Sequence, residues 1–100
     1  MVTATRIAES FGINERTLYH HALKSFLLEK KRQVLQKKLE ILARYGVQSI
    51  DELEDKIAQG EIAEHPAWED LIVVENLTAH LEELDDYLAD LQDPEANSAA

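Results

Sequence analysis

The stretch from Asn14 to Tyr45, NERTLYHHALKSFLLEKKRQVLQKKLEILARY, contains no glycine and no proline, and no two β-branched residues adjoin in it. Nothing in it breaks an α-helix, so it reads as one continuous rod, about 48 Å long at 1.5 Å per residue. In a chain of 100 residues such a rod dictates the rest, because every other segment either leads into it or folds back on it. Along it, Leu18, Ala22 and Phe26 are followed by Leu28, Leu35 and Leu42 at seven-residue spacing, with Leu27, Val34 and Ile41 beside them. Lys30, Lys31, Arg32, Lys37 and Lys38 are expected to cover the remaining circumference. So wide an apolar stripe needs a partner along most of its length.

Gly12, Gly46 and Gly60 each follow an apolar-periodic segment, where a helix C-terminus takes a residue that tolerates positive φ. They divide the chain into four helices. A short first helix from about Thr5 to Phe11 is entered through Thr3 or Thr5, with Ile7, Ala8 and Phe11 at helical spacing. Asn14 caps the rod. Ser49-Ile50-Asp51-Glu52 fits a capping box and opens a short helix to Gln59, whose buried edge is Ile50, Leu53 and Ile57. Pro66 occupies a first-turn position ahead of Ala67, Trp68, Glu69 and Asp70. Beyond it, Val74, Leu77, Leu81, Leu84, Leu88 and Leu91 alternate three and four apart, an a/d seam with Glu75, Glu82, Glu83, Asp85, Asp86 and Asp90 on its outer face.

The expected fold is therefore all-α: a long central helix with an antiparallel coiled-coil-like helical hairpin and a short N-terminal helix-turn-helix-like module. Residues 1–26 form the module, 27–92 the hairpin and 93–100 a disordered tail. A two-helix hairpin buries only part of two apolar stripes, so a homodimer is expected. No cysteine is present, which excludes a disulfide framework and thiol chemistry. The N-terminus lacks the blocks of a signal peptide and no apolar run approaches the ~18 residues of a membrane span. A cytoplasmic protein without membrane contact is expected.

Charge divides the chain. Residues 1–38 carry 8 Lys+Arg against 3 Asp+Glu, a net +5, and residues 39–100 carry 2 against 17, a net −15, which together make the formal −10. Such a split suggests two partners, or one that touches both halves, against the plainer reading of two solvated helix faces. Of the four histidines, His65 makes only an (i, i+4) pair with Glu69, short of a metal site. There is no nucleophile motif and no phosphate-cradling glycine loop. No enzyme, cofactor, metal or small-molecule substrate is expected.

In TATRIAESFGINERTLYHHAL, Ile7, Ala8, Phe11, Gly12, Ile13 and Leu18 fall at helix-turn-helix spacing. The segment resembles the helix-turn-helix of bacterial and archaeal repressors, and Arg16-Thr17-Leu18-Tyr19-His20-His21 looks like the start of the recognition helix in tetracycline-repressor-type regulators. That resemblance implies that Arg16, Thr17, Tyr19, His20 and Lys24 face operator DNA, with Arg16 and Lys24 neutralising phosphates. Gly12-Ile13, Leu18, Ala22-Leu23 and Phe26-Leu27 are also similar to the second, dimerising helix of ribbon-helix-helix proteins. On either reading Leu18, Ala22, Phe26 and Leu27 belong to a dimer or partner seam.

A third resemblance covers residues 26 to 91. Arg44-Tyr45-Gly46-Val47, Ser49-Ile50-Asp51-Glu52-Leu53-Glu54, Gly60-Glu61-Ile62 and His65-Pro66-Ala67-Trp68-Glu69-Asp70 look like small archaeal and bacterial antitoxin-like proteins of toxin–antitoxin pairs. It implies that the acidic C-terminal helices, through Trp68, Glu82, Glu83 and Asp86, cover a basic toxin. Trp68 reads equally as a core anchor. Electrostatics points the same way, since a protein that handles RNA presents positive potential and a −15 half would compete with its substrate. The other functions open to such a chain are a stand-alone helix-turn-helix transcriptional regulator and a coiled-coil scaffold without DNA binding.

Overall fold

The computed structural model describes the backbone of residues 1–99 and the side chains of residues 1–91. The tail expected to be disordered, residues 93–100, lies outside the residues described with their side chains. Four helices follow one another: α1 (Ala4–Ser10), α2 (Glu15–Arg44), α3 (Ile50–Ala58) and α4 (Glu64–Ala99).

Local hydrogen bonding sets the helix ends. Thr3 and Asn14 cap α1 and α2, their side chains accepting from the Arg6 and Thr17 backbone N–H groups at 3.2 and 2.7 Å. At α3 the Ser49 hydroxyl accepts from the Glu52 N–H at 3.1 Å, while the Glu52 carboxylate reaches one residue further back than a capping box requires, to the Gln48 N–H at 3.0 Å. α2 closes through two crossed bonds, Val47 N–H to the Leu42 carbonyl at 3.2 Å and Gly46 N–H to that of Ala43 at 3.1 Å. This closure needs positive φ at Gly46, where φ is 65°, and it brings buried Val47 against buried Leu42. The same pair of bonds closes α1 at Gly12 and α3 at Gly60. In α4 the helix breaks at His65 (φ −114°, ψ 131°), because the ring of Pro66 pushes the residue before it into extended geometry.

α2 and α4 form the hairpin. Between the Lys31–Asp85 ion pair and the Tyr45–Asp70 hydrogen bond, α2 advances fourteen residues while α4 retreats fifteen, which is antiparallel register. The seam of α4 faces inward as expected, and it starts earlier than Val74: Ala67 and Leu71 are buried as deeply as Val74. The core sits at the closed end, where Ile41, Leu42, Val47, Leu53, Ile57, Ala67, Leu71 and Val74 cluster, with Tyr45, Ile50, Ile62 and Leu77 packed against them. Toward the open end, where α2 begins and α4 finishes, only Leu84 and Leu88 of the seam are fully buried.

Two expectations about local packing are corrected. The stripe on α2 is split. Leu27, Val34 and Ile41 lie on the covered side together with half-buried Lys24, Lys31 and Lys38, whereas Leu28 and Leu35 stay exposed. Lysines thus share the seam with apolar residues, which is tolerated because the long alkyl stem packs while the ammonium reaches a carboxylate, as Lys31 does with Asp85 at 2.6 Å. In α1 only Ala8 is buried, while Ile7 and Phe11 are exposed, since no further helix packs over this corner.

One polar anchor ties the closed end. The Tyr45 hydroxyl donates to the Asp70 carboxylate, with Arg44 at 3.6 Å from the same oxygen. The bond to Asp70, then burial, raises the Tyr45 phenol above its ordinary value of 10.0. A raised folded-state value means that this stabilisation is complete below about pH 10 and is lost as pH rises through the folded-state pKa. Tyr45→Phe should therefore cost about 1.5 kcal/mol at neutral pH. The variant should also lose the part of the alkaline destabilisation that belongs to this phenol. Urea titrations at pH 7 and above pH 10 check both.

Candidate functional site

The antiparallel register changes how charge is laid out. A straight rod would hold its basic and acidic ends apart, but the hairpin returns Glu82, Glu83, Asp85, Asp86 and Asp90 of α4 alongside the basic first half of α2. Opposite charges a few ångströms apart cancel at distances beyond a Debye length, roughly 10 Å. The closed end has little such compensation, with Arg44 of α2 lying 3.6 Å from Asp70. Residues 49–75 carry nine carboxylates, Asp51, Glu52, Glu54, Asp55, Glu61, Glu64, Glu69, Asp70 and Glu75, against Lys56 alone, a net −8. The excess negative field therefore emerges at α3 and the start of α4.

Trp68 stands in that field. It is 48% exposed and is therefore no core anchor. Its indole walls a groove of about 400 Å³ together with Glu54, Ile57, Ala58, Glu64 and His65. α3 supplies Glu54, Ile57 and Ala58 at one-turn spacing, with Ile57 buried as the docking residue. The break at His65 sets the entry to α4. The His65 ring nitrogen lies 2.7 Å from a Glu69 carboxylate oxygen. The Glu69 carboxyl is held below its ordinary value first by a backbone hydrogen bond and then by His65.

At the open end, Arg16 and Tyr19 are exposed, while Thr17, His20 and Lys24 are half-buried. Lys24 lies two turns before Lys31 on the lysine row of the seam. Leu18 and Leu27 are half-buried, Ala22 is exposed, and Phe26 is 59% exposed with the Lys30 ammonium 5.6 Å from its ring centre. Phe26 and Leu27 join Leu23, Tyr87, Asp90 and Leu91 around a second groove of about 400 Å³. Glu82, Glu83 and Asp86 are all exposed, and Glu83 accepts from the Tyr87 hydroxyl at 2.8 Å. On the outer side of α2, hydrogen bonds from Arg32 and then Gln33 hold the Glu29 carboxyl down at about 2.

The hairpin thus brings Phe26 and Leu27 into one groove and leaves Trp68 at the opposite end of the molecule. Sequence reasoning missed the companions of each. Leu23, Tyr87 and Leu91 join Phe26 only through the register, which no local pattern encodes. Glu54 was visible as part of the antitoxin-like motif but carried no signal that it would share a groove with Trp68. Among the described residues no group of three or more His, Asp or Glu side chains is placed to hold a metal ion, and no helix is long and apolar enough to cross a membrane.

A family model described as "Uncharacterized protein MJ0235 family" matches residues 1–96, and the chain belongs to that family. No curated protein and no solved structure matches it.

Proposed function

We propose that this member of the family is an antitoxin-like dimeric binding protein, which covers a basic protein partner with its acidic C-terminal helices. The observation that carries the reading is the net −8 over residues 49–75, which the Arg44–Asp70 pair offsets by one charge. A surface of that sign steers a positively charged protein into contact and disfavours nucleic acid at the same place. The resemblance of residues 26 to 91 to antitoxin-like proteins supports the same class of partner. Self-association is supported by shape: the radius of gyration is 19.8 Å against about 13 Å for a compact chain of this length, and the smallest extent is 16 Å. That thickness leaves no second layer of helices over Leu23, Phe26, Leu28, Leu35 and Leu39, all of which are exposed.

Co-expression with the product of the adjacent gene tests the proposal. A basic neighbour should co-purify and separate as salt is raised towards ~1 M. A neighbour that is an ordinary metabolic enzyme, with nothing basic bound, rules the proposal out.

Operator binding is the second reading, favoured by the exposure of Arg16 and Tyr19 on the first turns of α2, directly after the α1 corner closed over Ala8. If it holds, Arg16→Ala should weaken retention of the upstream DNA several-fold at ~50 mM salt and lower the salt slope by about one. Gel retardation across a salt series reads both quantities. Absence of retention by the wild-type dimer removes the reading.

A further inference from the structure

The groove beside Trp68 combines three features that seldom meet on a solvated helix face. An indole is half out of the protein, Ile57 and Ala58 give the lining apolar character, and the carboxylates of Glu54 and Glu64 belong to the same opening. No hydrogen bond or ion pair within the described residues engages either of these two carboxylates, whereas Glu69 is already occupied by His65 and Asp70 by Tyr45 and Arg44. About 400 Å³ is ample for one long side chain.

We propose that this groove receives an arginine side chain of the basic partner, its alkyl stem along Ile57 and Ala58, its guanidinium stacked on the Trp68 indole and paired with Glu54 or Glu64. The inference rests on the partner's being basic, and adds where and through which side chain it is recognised. Arginine fits better than lysine for two reasons. Its planar, weakly hydrated guanidinium stacks on an aromatic face, and its fork of donors satisfies a carboxylate through two parallel bonds. The acidic row of α4 at Glu82, Glu83 and Asp86 offers no exposed indole, and its field is opposed by the lysines of α2.

Trp68 is the chain's one tryptophan, so emission excited at the red edge, where the three tyrosines do not absorb, reports on this groove. The test titrates the full chain with a capped hexa-arginine peptide at low salt, following emission and, in parallel, heat by calorimetry. Emission should change saturably. Glu54→Gln with Glu64→Gln should raise the midpoint by about tenfold, the loss of one charge-assisted pair. Hexa-lysine should titrate more weakly. Glu9→Gln, which removes an exposed carboxylate on α1, should stay within about twofold of wild type, a surface-charge effect only. Binding heat with silent Trp68 emission overturns the groove while leaving the basic-partner reading standing, and so does an emission change that the Glu54/Glu64 variant leaves intact. Neither heat nor emission change overturns both. Circular dichroism confirms that the variants, altered only at exposed positions, keep the fold.

Discussion

Leu53→Ala should destabilise the fold by about 3 kcal/mol, the cost of truncating a buried leucine where the site cannot collapse around the cavity. Leu53 is 0% exposed and, with Ile57, carries α3 into the core formed by Ile41, Leu42, Leu71 and Val74. α3 has nine residues, too few to be helical in water without tertiary support, so losing its anchor loosens the whole segment. For a domain of this size the loss corresponds to a melting temperature lower by roughly 12–24 °C. Leu39→Ala, on the exposed side of α2, should change stability by less than about 0.5 kcal/mol. Paired urea titrations check the contrast. A Leu53→Ala cost below 1 kcal/mol would show that the closed end is not the stable centre of the molecule.

If the chain self-associates as proposed, Phe26→Asp should weaken that association by about a hundredfold, a loss of the size seen when a central interface aromatic is removed. The groove of Leu23, Phe26, Leu27, Tyr87 and Leu91 is the apolar surface at the open end, and a carboxylate placed there must be desolvated on association. Phe26 is 59% exposed in the single chain, so helix content should be unchanged. Sedimentation velocity over a concentration series gives the answer. If Phe26→Asp remains dimeric while Leu35→Asp dissociates, the interface lies on the exposed row of Leu28, Leu35 and Leu39 instead.

Part of the surface chemistry could be read from the chain and part could not. Glu82, Glu83 and Asp86 read from their spacing as the outer face of the last helix and are exposed, whereas of the residues that the repressor resemblance turned towards DNA, Arg16 and Tyr19 are exposed and Thr17, His20 and Lys24 half-buried. Lys31 and Lys38 read as solvated charges, since a lysine on an amphipathic helix ordinarily is one, and Lys24 as a phosphate contact, yet their seven-residue spacing places all three on the half-buried seam. That spacing was the available signal. The leucines at 28, 35 and 42 carried the same period, and nothing local says which of two parallel rows turns inward.

What the sequence by itself determined is the four helices and the ends of the first three. Those follow from capping side chains and from glycines at positive φ, effects that act within about four residues and need no partner. Tertiary structure alone decided the register, and with it the half-buried lysines, the exposure of Trp68 and the end at which negative charge predominates. Register depends on the summed packing of residues from 25 positions apart, as Tyr45 and Asp70, to 68, as Leu23 and Leu91, where the lysine and leucine rows compete for one neighbouring helix and no single position settles the outcome.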